Sequence, residues 1–386
     1  MISVRVLVDV VVVASVVSAL AITPRVLARR PDPVGAAGRR VFSPAAWLAL
    51  VTGLVYVNQV LFTVYVLRVH DGDPSFVARY LPAGWFDLAS ANPALRHLAE
   101  VFPAPGLLAP SVLRVQAFLE LPFVLLAFAS VVRWLDADLY RRIARSALLP
   151  LASVSYTSVF CLVEWDLRNP YTVDDVLIRA ASAVVTPLLL ARAAARDTGT
   201  TRVPPSVPGL LVFVGSLGAL GALVLVVYDT ALLYNLGRLD DRLPLALAAG
   251  GALLVLRAVA SRPAAARSAP TLSFVAHALR HWLLLFFVPA LAIRYGLLFG
   301  TPRLALAAGA LTAVVASVRA ARETQVGALR LATRVGCAVL AGAVAAALAL
   351  RVTPPSYEEV ALLSAMGAFL VTGVVVCGLL DRSRRE

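Results

Sequence analysis

Twelve consecutive residues, Glu164-Trp165-Asp166-Leu167-Arg168-Asn169-Pro170-Tyr171-Thr172-Val173-Asp174-Asp175, hold four acids, an arginine, an asparagine and two aromatic rings between apolar runs. Carboxyl groups placed in unlike surroundings divide into a proton donor and a proton acceptor. Glu164, Asp166, Asp174 and Asp175 are therefore candidate catalytic groups, with Trp165 as a candidate substrate contact. The plainer alternative is that Asp174 or Asp175 caps a helix and Asn169-Pro170 turns the chain.

A second acidic motif is His70-Asp71-Gly72-Asp73. Hard divalent cations take carboxylate oxygens, so Asp-x-Asp suits Mg²⁺ or Mn²⁺. Gly72 and Pro74 make a turn in which Asp71 and Asp73 can converge, as metal ligands or as catalytic acids. The alternative is a solvated turn.

The third set consists of polar side chains isolated in apolar stretches: Asn58, Gln59, Glu120, Arg179, Arg294 and Tyr295. A polar or ionisable group inside a membrane is expensive, and by default it marks a functional site. Arg179 needs a partner, and Glu120, Glu164 and Asp175 are the candidates, because an unpaired buried charge is costly. Glu120 thereby joins the catalytic set. Asn58, Gln59, Arg179, Arg294 and Tyr295 join Trp165 as substrate-binding candidates. The alternative is a set of hydrogen bonds and ion pairs that hold helices together, with Arg294 and Asp229 snorkelling to the interface.

Other chemistries lack support. His277 and His281 stand four apart, a metal-ligand spacing, but in a basic interfacial stretch with no adjacent carboxylate. Four histidines are too few for a histidine-rich di-iron desaturase. There is no glycine-rich phosphate loop, Gly-x-Ser-x-Gly elbow or Cys-x-x-Cys pair, which leaves ATP-driven transport and serine-hydrolase chemistry without a motif. Cys161, Cys337 and Cys377 all lie in apolar runs and read as small hydrophobes.

The elements that must position these groups follow from composition. Of 386 residues, 60% are hydrophobic and 15% charged, with a mean hydropathy of +0.84. Soluble chains are about 45–50% apolar and about a quarter charged. A soluble, disordered or disulfide-built protein is excluded. The expected fold is all-α: a polytopic transmembrane helix bundle forming one integral membrane domain over 1–386. All 35 basic residues are arginine, and the net charge of +13 is arranged by topology and not as a nucleic-acid patch.

A spanning helix needs about 20 mostly apolar residues. Eleven segments qualify, at roughly 3–22, 44–67, 115–134, 147–164, 175–193, 208–228, 243–261, 282–299, 302–319, 331–351 and 359–380. The loops after odd-numbered segments, with the tail, hold 23 arginines against 7 acids; the opposite side holds 12 against 15. Arginine excess marks the cytoplasmic side. The expected placement is therefore a plasma membrane, multi-pass, with the N-terminus outside and the C-terminus cytoplasmic.

On this topology most polar groups fall in the outer half. The exceptions are Ser153, Ser155, Tyr156, Thr157 and Ser158 in the middle of the fourth segment. The one long outer loop, about 68–114, reads as two amphipathic interfacial stretches, 75–85 and 92–102.

Two function classes compete. The first is a membrane-embedded, transferase-like enzyme with an outward-facing site in the outer leaflet, acting on a lipid or lipid-linked, amphiphilic substrate among the membrane lipids. Its plan is similar to that of polytopic lipid-sugar glycosyltransferases: many helices, an acidic residue in a large outer loop, and interfacial helices over a cavity. The similarity is architectural and covers no aligned motif. It implies that Asp71 or Asp73 binds metal or activates an acceptor, and that Arg179 or Arg294 holds an anionic head group. The chain departs from the plan in placing its large loop after the second segment and its N-terminus outside. The second class is a small-molecule transporter or exporter, which needs a midplane site at broken helices. A third reading is a non-catalytic assembly partner using the small-residue faces Gly215, Gly218, Gly221 and Ala338, Gly342, Ala346.

Overall fold

A computed structural model describes residues 3–28, 43–74, 90–102, 108–167, 171–232, 235–260, 269–324, 327–352 and 358–382. These form α1 (Val4–Ala28), α2 (Pro44–Val69), α3 (Pro93–Val101), α4 (Leu108–Leu135), α5 (Ala137–Ala144), α6 (Leu148–Leu167) and α7 (Thr172–Ala195). Then follow α8 (Val207–Val227), α9 (Leu239–Ala260), α10 (Pro270–Phe286), α11 (Ala290–Phe299), α12 (Pro302–Glu323), α13 (Ala328–Val352) and α14 (Glu358–Arg382). A π turn, Tyr228–Leu232, extends α8, and a 3₁₀ turn, Leu236–Arg238, leads into α9. The fold is an all-α polytopic bundle. Among the described residues the only β pairing is a single bridge between Asp136 and Arg202.

Among the described residues ten helices are long and apolar enough to cross a membrane, and α10 and α11, bent by 67° at their junction, count as an eleventh if the pair is one broken span. In lipid every backbone N–H and C=O must be satisfied within the protein, which is why the apolar runs become helices. The expected straight span at 282–299 is corrected here. Pro289 has no N–H with which to continue the ladder. The last bond of α10 runs from the Phe287 N–H to the Leu283 carbonyl, and α11 restarts with the Ile293 N–H on the Pro289 carbonyl. The Phe287 carbonyl at the break accepts from the Tyr156 hydroxyl at 2.9 Å. Ten residues of α11 reach only about 15 Å, half of a hydrocarbon core of about 30 Å. The other half is left to α10, which meets α11 at 67°.

Contacts between helix ends sort them into two faces. On one, the Asp9 carboxylate caps α12 by accepting from the Thr301 N–H and hydroxyl at 2.7 and 2.6 Å. A Cβ on Gly300 would stand 2.6 Å from that carboxylate, so the cap requires glycine there. The amphipathic helix α3 lies on the same face. Asn92 caps its start, and the Arg68 guanidinium donates to the Ala99, Glu100 and Phe102 carbonyls at its end, where the helix dipole favours a cation. A helix thus stands where the second amphipathic stretch was expected; the first, 75–85, lies outside the described residues.

On the other face, Asp136 caps α5, Arg133 holds Asp197 through two nitrogens, and Arg142 donates to the Leu27 carbonyl. By the residue counts above, the first is the acidic face and the second the arginine-rich face.

The core runs along α4, where two thirds of the apolar window is buried (67%), against 6% for α9, 11% for α13 and 17% for α14. The outer helices expose side chains such as Leu254, Leu247 and Leu340, which suits a lipid solvent. Part of each small-residue stripe is taken up inside the chain: a Cβ on Gly215 would meet Leu256, one on Gly221 Leu363, and one on Gly342 the Phe369 ring.

Candidate functional site

Three helices bring the central candidates together. Glu120 projects from α4, Glu164 from α6, and Asp175 and Arg179 from successive turns of α7. The Arg179 guanidinium donates to the Glu120 carboxylate and lies 3.7 Å from Glu164. It also covers the Phe160 ring, 5.2 Å from the centroid. Arg179 is 8% exposed and Asp175 6%, and one Asp175 oxygen has no hydrogen-bond partner among the described residues. Two carboxylates, Glu120 and Glu164, thus approach one guanidinium, and the Asp175 carboxyl stands one helical turn before it on α7.

The rest of the acidic run does not join them. Asp174 turns outward to Arg114, 2.5 Å away, with both side chains nearly half exposed; such surface pairs contribute little. Asp166 and Trp165 are exposed at the end of α6.

An aromatic bridge leads from this group to the other expected binding residues. The Phe160 and Tyr295 rings meet edge to face at 5.7 Å. The Tyr295 hydroxyl is 3.4 Å from that of Tyr228, whose ring lies 5.0 Å below the Arg294 guanidinium. Arg179 and Arg294 are therefore linked through three rings in the half of the bundle nearer the acidic face.

A second polar region lies where α2 and α4 meet the chain after α8. The Thr230 hydroxyl donates to the Val226 carbonyl and accepts from the Tyr56 hydroxyl at 2.8 Å. Gln116 donates to the Leu232 carbonyl at 3.2 Å and Asn58 to the Val112 carbonyl at 2.9 Å. Asn58 is therefore a helix-to-helix tie. Gln59 is 0% exposed, yet neither of its amide atoms has a partner among the described residues. Both amide atoms of Asn235, the Gln116 carbonyl oxygen and the Thr63 hydroxyl are in the same position. Each such atom costs about 1–3 kcal/mol when buried unbonded.

Sequence reasoning named Gln59 and missed the other three. Gln116 precedes Glu120 by one helical turn, a polar pair on one face of an apolar helix, and that spacing was a usable signal. The π turn just before Asn235 was not legible, although such turns concentrate at functional sites. Asp229 is buried and held by Arg242 at 2.6 Å and Arg238 at 3.5 Å.

Asp71 and Asp73 sit where α2 ends. Asp71 has φ +49° and Gly72 φ +86°, a tight turn closed by the Gly72 N–H on the Val66 carbonyl. Asp71 lines an open hollow of about 460 Å³ whose other charged walls include Arg68 and Arg96. Among the described residues no group of three or more His, Cys, Asp or Glu side chains is placed to hold a metal ion.

Most of the hydroxyls of α6 are used in packing. Ser155 shares a hydrogen bond with Ser15, and Ser153 donates to the Ala183 carbonyl, both at 2.7 Å. Tyr156 serves the helix break. These are interhelical ties.

No protein-family profile matches the chain, and no curated protein sequence or solved structure matches it either.

Proposed function

We propose that the chain is a membrane-embedded, transferase-like enzyme acting on a lipid or lipid-linked substrate from the half of the bundle nearer the acidic face. The observation that carries this reading is that three apolar helices bring Glu120, Glu164, Asp175 and Arg179 to one region, with Asp175 and Arg179 buried. Glu120 takes the direct hydrogen bond of the guanidinium, and half-buried Glu164 and buried Asp175 are two carboxyl groups in unlike surroundings, the provision that a general acid and a general base require. In this reading Glu164 and Asp175 move protons, while Arg179 and Arg294 hold an anionic head group. The unbonded amides of Gln59 and Asn235 and the Gln116 carbonyl oxygen receive the hydroxyls of that head group.

Arginine excess on the opposite face puts that face in the cytoplasm. The site then belongs to the outer leaflet of the plasma membrane, with the N-terminus outside and the C-terminus inside. Mg²⁺ or Mn²⁺ would engage Asp71 and Asp73; the chemistry assigned here to Glu164 and Asp175 does not pass through it.

The second reading, transport of a small molecule, draws on the broken span α10–α11. Against it, the space beside the break is only about 10 Å³ and is walled by side chains such as Ala129, Val132, Ile143, Leu149 and Leu190. A coupling site needs polar atoms there, and the free Phe287 carbonyl is already taken by Tyr156.

The test is turnover of lipid-linked phosphosugar donors by the protein in nanodiscs, with Glu164→Gln and Asp175→Asn beside wild type. Product formed by wild type and lost in folded variants supports the enzyme. Absence of turnover across the donor panel, with solute flux in proteoliposomes that Glu164→Gln abolishes, replaces it with the transporter.

A further inference from the structure

A second hollow, of about 440 Å³, lies beside α10 on the arginine-rich face. This is far from the acid cluster and independent of the reading above. Its volume falls within the range of about 300–1,000 Å³ typical of small-ligand sites. The walls come from the start of α5, the strap 200–202, the middle of α10 and the end of α12.

The charges in this hollow do not cancel. Four arginines line it (Arg141, Arg142, Arg202 and Arg280) against three carboxylates, Asp136, Asp138 and Glu323. Asp138 is engaged by Arg142 at 2.8 Å and Arg141 at 3.7 Å. Asp136 caps α5 with one oxygen and stands 3.2 Å from Arg280 with the other, without satisfying the Arg280 Nε–H as a hydrogen bond. Glu323 meets His281 at 3.0 Å and His277 at 3.8 Å.

Arg202 makes no ion pair among the described residues. Its backbone is fixed by the bridge to Asp136, and its charge repels that of Arg280. His281, only 4% exposed, lines the hollow and turns Nε2 to Glu323. Two mutually repelling guanidiniums on the wall of one hollow, one of them without an ion pair among the described residues, form a place for an anion. A guanidinium pair matches the oxygens of a phosphate.

We infer that this hollow binds the phosphate group of a small ligand, with Arg202 and Arg280 as its cations. A phosphorylated solute and the head group of an anionic lipid share that chemistry.

The experiment is the thermal midpoint of the full chain in neutral detergent, titrated with inorganic pyrophosphate and, separately, with short-chain phosphatidic acid. Wild type is compared with Arg202→Gln and Arg280→Lys, with Arg322→Gln as a control for bulk charge. A saturable rise is expected in wild type and in Arg322→Gln, weakened with added salt. In Arg202→Gln the apparent affinity falls about tenfold or more, the size of one charge-assisted hydrogen bond. A rise with pyrophosphate assigns a soluble ligand, and a rise with phosphatidic acid alone assigns the lipid. No saturable rise with either, or equal rises in wild type and Arg202→Gln, overturns the inference. Arg202 is exposed, so its variant tests the site even if Arg280→Lys fails to fold.

Discussion

Arg179 on α7 donates directly to Glu120 on α4 across 59 residues of sequence, and it approaches Glu164 on α6 less closely. The two carboxylates are therefore unequal partners. Breaking a buried pair by removing one member costs about 3–5 kcal/mol. Arg179→Ala is expected to lower stability by that order, because it strands the carboxylates. A double-mutant cycle on thermal or denaturant unfolding should give a larger coupling for Arg179 with Glu120 than with Glu164. Equal couplings would contradict the geometry.

The unbonded amides separate stability from function. Replacing a buried, unsatisfied polar group by an apolar one of similar shape is neutral or stabilising. Gln59→Leu and Asn235→Leu are therefore expected to hold or raise the unfolding midpoint while losing substrate binding. A clear fall in midpoint would show that these side chains are structural.

Tyr156 tests the broken span. Tyr156→Phe leaves the Phe287 carbonyl without its donor, and the expected loss is about 1–3 kcal/mol. Hydrogen exchange should rise around residues 287–291 and stay unchanged in α13. A variant as stable as wild type would mean that the hydroxyl does not hold the break.

The cap on α12 offers a local check. Asp9→Ala removes the acceptor for the Thr301 N–H, at an expected cost of about 1 kcal/mol. Gly300→Ala is expected to cost at least as much, since its Cβ would stand 2.6 Å from the same carboxylate. If both are measured as free of cost, the end contact between α1 and α12 is not a support of the fold.

Orientation is testable by thiol labelling after Cys161, Cys337 and Cys377 are replaced by alanine. A cysteine placed at exposed Asp166 is expected to react with an impermeant reagent outside intact cells, and one at exposed Arg322 only after lysis. The reverse pattern would invert the topology and move the site to the inner leaflet.

The spans were legible because length and apolarity suffice for a helix in lipid, where no other open backbone is tolerated. The break at Pro289 was not, because Trp282 to Phe299 reads as one apolar run. The helix before the break begins back at Pro270, outside that run. That Arg179 needed a buried acid followed from the cost of its charge; the choice of Glu120 needed the packing of α4 on α7. Asn235 and Thr63 carry no periodic signal. The hollow at Arg202 and Arg280 draws on five separated stretches between Leu27 and Glu323, so a local pass along the chain saw in His277 and His281 only a basic interface.

The first turn of α10 is completed by a residue made much later. Asp381 accepts from the Thr271 N–H, the Thr271 hydroxyl and the Leu272 N–H, and from Arg334 at 2.6 Å. The partner of Thr271 lies 110 residues downstream. At about 5–20 residues per second of synthesis, α10 waits roughly 6–22 s for it. During that interval the amides at its start face the membrane surface uncapped, and only the arrival of α14 closes them. The last helix therefore acts as a latch on the broken span, and nascent chains arrested short of Asp381 should show α10 as the protease-sensitive element.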